Sequence, residues 1–110
     1  MARELSESDW KVLKQLHSIA LERFCQRVLS EVDGIVADAS RTYHQRYLAM
    51  YEAIQRRDKE ISSVFDNLRR STAILQLAAL RSRKLIEDAE FMRFSEETQG
   101  FVGVFLEARA

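Results

Sequence analysis

The sequence predicts an all-α protein, and three observations carry that prediction. The 110 residues contain no proline and only three glycines, fewer than the tight turns between β-strands normally need. Apolar residues recur at steps of three and four along most of the chain, which is the spacing of one helix face. With 46% apolar and 31% charged residues, the chain is hydrophobic enough to fold around a core. We therefore expect a single helical domain over residues 1–110 that forms a hairpin or bundle.

The first helix is predicted to begin after Ser6, whose hydroxyl can accept a hydrogen bond from a free N–H group of the first turn. Asp9 stands three residues later, at the capping-box position. Apolar residues then follow one another at helical spacing: Trp10, Leu13, Leu16, Ala20 and Phe24. This spacing continues beyond them, so we expect the helix to bury one face along its whole length.

The pair Asp33-Gly34 is the most favourable place for this helix to end, because glycine adopts positive φ without steric cost. We expect a bend or turn within residues 33–40. The next helix would then begin after Asp38 or Ser40, either of which can cap its N-terminus.

A long second helix is predicted over about residues 40–87. From Tyr43 to Leu85 the positions of one stripe follow each other strictly at alternating steps of four and three, without glycine or proline. One helix of this length would measure about 70 Å. The alternative is two helices hinged near residues 66–67, where Asp66 or Asn67 could cap a second start. The single helix is the favoured interpretation, because a turn normally resets the phase of such a pattern.

Arg57 is the one charged residue within this stripe. A polar residue at such a position lowers stability but can fix the register of packed helices. We expect its aliphatic stem to pack against the core while its guanidinium group reaches solvent or a carboxylate on a facing helix.

Short helices are predicted at the C-terminus, where the regular spacing fails. Asp88 and Ser95 can both cap helix starts, and the aromatic residues between them can anchor one helical turn. The last helix is then predicted over about residues 95–108, with an apolar face that needs a surface to cover.

Residues 73–80, AILQLAAL, are apolar around nearly the whole circumference of the predicted helix. A helix that is apolar on all sides is buried on all sides. The segment is too short to cross a bilayer, so a protein surface must cover it. Either the C-terminal helix or a second subunit can do so, and we favour a homodimer with an interaction surface at Ile74, Leu77 and Leu80.

Basic pairs flank this segment, Arg69 with Arg70 before it and Arg83 with Lys84 after it. On one continuous helix they would lie opposite the apolar stripe, where they could contact nucleic-acid phosphates. Acidic residues stand four positions from several of these bases, and 17 acidic residues balance 17 basic ones in the whole chain. The face is therefore interpreted as solvated and internally neutralised, with nucleic-acid binding as the alternative.

No residue pattern predicts a catalytic, metal or cofactor site. His17 and His44 lack the partner spacings of helical metal sites. His17 is expected to lie at the core boundary with a hydrogen-bond partner. Cys25 falls on the apolar face of the first helix, where we expect it to pack as a small hydrophobe.

A ladder of tyrosines begins the second helix. Tyr43, Tyr47 and Tyr51 could stack against a planar ligand, with His44 beside them. Because the ladder follows the apolar stripe, aromatic packing in the core is the favoured interpretation.

These observations favour a non-enzymatic helical interaction or scaffold module, a homodimer that offers a helical surface to an unknown protein partner. The alternative is a nucleic-acid-binding protein that uses the basic face, and a further alternative is a ligand-binding helical bundle. The unpaired Cys25 and the absence of an apolar leader predict a cytoplasmic protein. The longest apolar run, residues 100–106, is far shorter than the roughly 20 residues that span a bilayer, so we expect no membrane partner.

Overall fold

The computed structural model describes residues 4–109, which form five α-helices connected by turns. The helices are α1 (Glu7–Val36), α2 (Tyr43–Val64), α3 (Ala73–Ser82), α4 (Asp88–Phe91) and α5 (Glu96–Arg109), with a 3₁₀ turn at Arg70–Thr72. Every regular element in this range is helical, which confirms the all-α class. Residues 1–3 and 110 of the predicted domain lie outside the described part of the chain.

α1 begins where the sequence predicts, because the Asp9 N–H donates to the Ser6 hydroxyl at 3.2 Å. The turn falls within the predicted range of residues 33–40, but not at Asp33-Gly34. Gly34 keeps a negative φ, and α1 continues to Val36. Glycine permits a turn without requiring one, and the helical hydrogen bonds continue through it.

The connection from α1 to α2 spans residues 37–42. Thr42 caps α2, since its hydroxyl accepts from the Gln45 N–H at 3.1 Å while the Gln45 side chain accepts from the Thr42 N–H at 2.9 Å. The predicted caps Asp38 and Ser40 are wrong. They bond to each other instead, because the Ser40 N–H and hydroxyl donate to the Asp38 carboxylate at 3.1 and 2.5 Å.

The prediction of a continuous second helix is wrong, and the alternative break near residues 66–67 is found. Neither Asp66 nor Asn67 caps the next helix, however, because α3 begins after Thr72 without a side-chain cap. α2 ends at Val64, the chain turns through residues 65–69, and α3 follows as a separate helix. Asn67 lies in this turn with a φ of 59°, a left-handed conformation that asparagine tolerates better than most residues. The four-and-three spacing continues across the turn without marking one buried face, since Leu75 belongs to that stripe and is exposed on α3.

The core lies at one end of the antiparallel pair α1–α2, where α3 contacts α1, α2 and α5. Phe65 packs edge-on against Phe24 and His17 within it. Its largest fully buried side chains come from the N-terminal segment, α1, α3, α5 and the turn after α3: Leu5, Leu13, Leu16, Leu77, Leu80, Leu85 and Val102.

Ile74, Leu77 and Leu80 belong to this core, which corrects the predicted interaction surface. Leu77 and Leu80 are fully buried and Ile74 nearly so. α3 packs against α5 and α1, so the chain itself covers these side chains and leaves no room for a second subunit there. Leu75 points away from the core and is 56% exposed, so the segment is not buried on all sides.

Beyond the core, α1 and α2 extend as a two-helix hairpin, and we call residues 28–56 the distal hairpin. Ala53 is the one fully buried residue in that range. Tyr43, Tyr47 and Tyr51 are 85%, 60% and 56% exposed, which overturns the prediction that they pack in the core. The hairpin gives the described chain an elongated shape of 53 × 26 × 26 Å.

The C-terminal helices lie close to their predicted positions. Ser95 caps α5 as expected, since its hydroxyl accepts from the Thr98 N–H at 3.3 Å, and α5 is displaced from the prediction by one residue. Glu87 rather than Asp88 caps α4. The Glu87 N–H donates a hydrogen bond to the Glu90 carboxylate at 2.9 Å, as in a capping box.

Candidate functional site

A buried carboxylate joins the first helix to the last. Asp9 is 3% exposed and accepts hydrogen bonds from the Ser95 N–H at 2.9 Å, the Ser95 hydroxyl at 2.6 Å and the Thr98 hydroxyl at 2.7 Å. Its own N–H donates to Ser6. Asp9 therefore links the N-terminal turn of α1 to the N-terminal turn of α5.

Opposing effects act on the ionisation of Asp9. Burial alone raises the pKa of this carboxyl, whereas the hydrogen bonds from Ser95, Thr98 and Ser6 favour the charged form. Together the hydrogen bonds prevail, so the pKa of Asp9 lies below its ordinary value of 3.8. Both oxygens already accept bonds from the chain itself, which assigns Asp9 to structure rather than to chemistry on a ligand.

An ion cluster holds α1 against α2 at the base of the distal hairpin. Arg57 donates to Glu31 of α1 at 3.0 and 3.3 Å and to Glu60 in the next turn of α2. This confirms the expectation that Arg57 meets a carboxylate on a facing helix. The hydrogen bonds from Arg57 lower the pKa of Glu31, and the same contacts with Glu31 and Glu60 raise the pKa of Arg57.

A cleft of about 340 Å³ opens beside this cluster, between α1, α2 and the end of α3. Arg27 donates to the Arg83 and Lys84 carbonyl oxygens at 2.7 and 2.6 Å and so satisfies the C-terminus of α3. Much of the polar lining of the cleft is thus already engaged in ion pairs and capping bonds. The cleft is lined by Phe24, Arg27, Val28, Glu31, Arg57, Glu60 and Arg83.

The four basic residues predicted as nucleic-acid contacts do not form a row on one helix. Arg69 and Arg70 precede α3, whereas Arg83 and Lys84 follow it. Arg69 and Lys84 are exposed, and Arg70 and Arg83 are partly buried. The turn at residues 65–69 removes the continuous helix on which the predicted basic face depends.

Two of these arginines already contact the protein. Arg70 donates to the Leu5 carbonyl oxygen and to the Glu7 carboxylate, both at 3.0 Å. Arg83 lies 4.0 Å from the Glu60 carboxylate. Their charge is therefore partly neutralised before any phosphate approaches.

The His17 side chain serves the fold. His17 Nε2 lies 2.9 Å from the Phe65 carbonyl oxygen, which confirms its boundary position and its partner. Cys25 is partly buried and forms no disulfide. Across residues 4–109, no group of three or more His, Cys, Asp or Glu side chains could hold a metal ion. No helix in the described part of the chain is long and apolar enough to cross a bilayer.

Two rows of large, exposed apolar side chains run along the distal hairpin, and we call them together the apolar side. The first row is on α1 and the second on α2. Each of these side chains is at least 46% exposed, so neither α3 nor α5 covers them. The apolar side consists of Leu29, Val36, Tyr43, Tyr47, Tyr51 and Ile54.

Both rows lie on the same side of the hairpin. On α1, the row stands roughly 150° further round the helix than Glu31, which faces α2. On α2, the row stands roughly 80° to 160° further round, in the same rotational sense, than the buried Ala53. Two antiparallel helices are related by a two-fold axis perpendicular to the plane that contains them. A rotation in the same sense about each helix axis, starting from the direction of the other helix, therefore leads to the same side of that plane on both helices.

Helical spacing alone assigns the tyrosine ladder to the core and so misses this surface. The apolar stripe on α2 is wider than contact with α1 requires, and that excess width is the signal that could have indicated it. No protein-family model, curated protein or solved structure matches the chain.

Proposed function

We propose that this protein is a non-enzymatic helical interaction module whose binding surface is the apolar side of the distal hairpin. The observation that carries the proposal is the exposure of Tyr43, Tyr47 and Tyr51 beside Leu29 and Val36. Contiguous apolar patches of several hundred Å² are uncommon on soluble proteins and mark interaction sites. Tyrosine is also enriched among the residues that carry binding energy at protein interfaces.

The contacts around the apolar side support a preorganised surface. At the base of the hairpin, the Arg57–Glu31 pair holds α1 against α2. At the tip, Arg46 donates to the Val36 carbonyl oxygen at 3.1 Å and lies 4.8 Å from the centre of the Tyr43 ring. A surface that is already ordered loses less conformational entropy on binding.

The other functions have less support. Nucleic-acid binding through the basic pairs lacks a continuous row, and both Arg70 and Arg83 face carboxylates. A ligand-binding bundle at the tyrosine ladder would need an enclosed pocket, whereas Tyr43 is 85% exposed. We place the module in the cytoplasm, where the unpaired thiol of Cys25 would stay reduced.

Affinity purification from the native cell tests the proposal with three tagged forms: wild type, the double variant Tyr47→Glu/Tyr51→Glu, and Lys59→Glu. The double variant should lose the partner, because burying an unpaired carboxylate in an apolar interface costs several kcal/mol. Lys59→Glu makes the same change in net charge at an exposed position on a different face of α2 and should keep the partner. Equal retention by both variants, or no retained protein at all, would refute the apolar side as the binding surface.

A further inference from the structure

We infer that the apolar side binds a second copy of this chain, so that two distal hairpins form a four-helix bundle. The inference rests on the proposed function, because it names the partner of the same surface. Three arguments support it: the exposed area, the shape of the hairpin and the distribution of charge.

The exposed area is close to what a stable dimer needs. A tyrosine side chain contributes roughly 200 Å² when fully covered, so Tyr43, Tyr47 and Tyr51 at their exposed fractions offer roughly 400 Å². The three aliphatic side chains raise the apolar area to roughly 650 Å² per chain. A standard interface buries about 800 Å² per partner, including its polar rim.

The shape of the hairpin suits a copy of itself. The two antiparallel helices of the hairpin lie side by side and present an elongated surface. A two-fold axis through the interface between two such surfaces places both rows of one copy against the rows of the other. Facing helices of this kind form the core of a four-helix bundle. The distal hairpin lacks such a core alone, since Ala53 is its one fully buried residue in the described range.

The distribution of charge favours a second copy over a charged partner. The six side chains of the apolar side are uncharged, and the charged groups beside them have opposite signs: Arg46 lies against Tyr43, and Asp33 stands one turn from Leu29. A strongly acidic or strongly basic partner would therefore meet a group of its own sign there. Glu31 and Arg57 pair with each other inside each copy and need no partner. The whole chain balances 17 basic with 17 acidic residues, so two copies meet without net repulsion.

Sedimentation equilibrium on the purified chain between about 1 and 200 μM tests self-association directly. We expect wild type to dimerise with a micromolar Kd, and Tyr47→Glu/Tyr51→Glu to weaken the dimer at least about tenfold. Lys59→Glu should change the Kd by about twofold or less. Circular dichroism verifies that each variant keeps its helices, as expected because all three positions are exposed.

The outcomes separate this inference from the proposed function. A wild-type chain that stays monomeric at about 200 μM, or a double variant that dimerises as tightly as wild type, overturns self-association. If wild type is monomeric but the double variant loses a different protein in the affinity purification, the binding surface stands and its partner is that protein. If wild type dimerises and only the double variant dissociates, the inference holds.

Discussion

At the scale of single residues, Asp9 connects parts of the chain that its sequence position does not suggest. It stands in the first turn of α1, where an acidic residue is common, yet its side chain is buried against the start of α5. Its acceptor oxygens satisfy three donors of Ser95 and Thr98. Hydrogen bonds to an ionised group are about twice as strong as those between neutral groups. The carboxylate is therefore a main contact between the two ends of the described chain.

Replacing Asp9 with Asn should lower the free energy of unfolding by about 2 to 3 kcal/mol, because the amide directs a donor at the buried hydroxyl of Thr98. Urea unfolding followed by circular dichroism measures the loss. Asp58→Asn is the matched control, since the same chemical change at an exposed position should cost about 0.5 kcal/mol or less. Equal losses in the two variants would contradict the role of Asp9.

The loss at Asp9 should also depend on pH. Because the folded pKa lies below 3.8, the charged carboxylate stabilises the fold above that pH and stops doing so as the pH falls through the folded value. The difference between wild type and Asp9→Asn should stay constant above about pH 5 and shrink below it. A difference that grows in acid would contradict the lowered pKa of Asp9.

At the scale of elements, α3 ends in a Schellman motif without the usual glycine. The Leu85 N–H donates to the Leu80 carbonyl oxygen and the Lys84 N–H to the Arg81 carbonyl oxygen, both at 3.0 Å. Lys84 occupies the left-handed position with a φ of 57°. The fully buried Leu80 and Leu85 supply the apolar contact that accompanies this motif.

Lys84→Gly should raise the free energy of unfolding by about 1 kcal/mol, because glycine adopts positive φ without the steric cost borne by lysine. The carbonyl oxygen that accepts from Arg27 belongs to the backbone and is kept. Lys59→Gly, the same substitution inside α2, should instead lower the free energy by about 1 kcal/mol. Thermal unfolding of both variants checks the opposite signs, and destabilisation by both would contradict the interpretation of the turn.

Two helix starts, after Ser6 and Ser95, are predicted correctly from the sequence, whereas the caps of α2 and α4 are not. Ser6 and Ser95 bond within their own first turns, so local residues determine these caps. The turns at Asn67 and Lys84 depend on left-handed backbone at residues other than glycine, which has only a weak sequence signal.

Coverage of an apolar face is harder still to predict. The spacing of apolar residues identifies the helix face to which Tyr47 belongs, but it does not indicate how much of the length of α1 and α2 the other helices cover. α3 packs at one end of the pair, so Leu77 is covered by the chain while Tyr47 is not. Leu77, predicted at an interaction surface, is therefore in the core, and Tyr47, predicted in the core, is exposed.

At the scale of the whole molecule, burial is unevenly distributed. The fully buried leucines of α1 and α3 lie in the core, whereas the distal hairpin has Ala53 alone. Regions with few buried apolar contacts open locally at a lower free energy than the global one. The hairpin should therefore open without unfolding of the core.

Amide hydrogen exchange measures this difference. In the variant Tyr47→Glu/Tyr51→Glu, at concentrations where sedimentation finds it monomeric, amides in residues 44–56 should exchange faster than those in residues 75–82. In wild type, raising the protein concentration should slow exchange in residues 44–56 and leave residues 75–82 unchanged. Equal protection of both segments in the variant would contradict a separately opening hairpin.

The bond between Asp9 and Ser95 also has a consequence for synthesis on the ribosome. Because α1 precedes α5 in the sequence, it leaves the ribosome before the donors for Asp9 and before the helix that packs on α3. Until residues 96–109 have emerged, α3 lacks α5, the helix against which it packs in the finished fold. Such a nascent chain exposes apolar surface of the kind that chaperones bind. α1 thus obtains its contact with Ser95 only after the start of α5 has been translated.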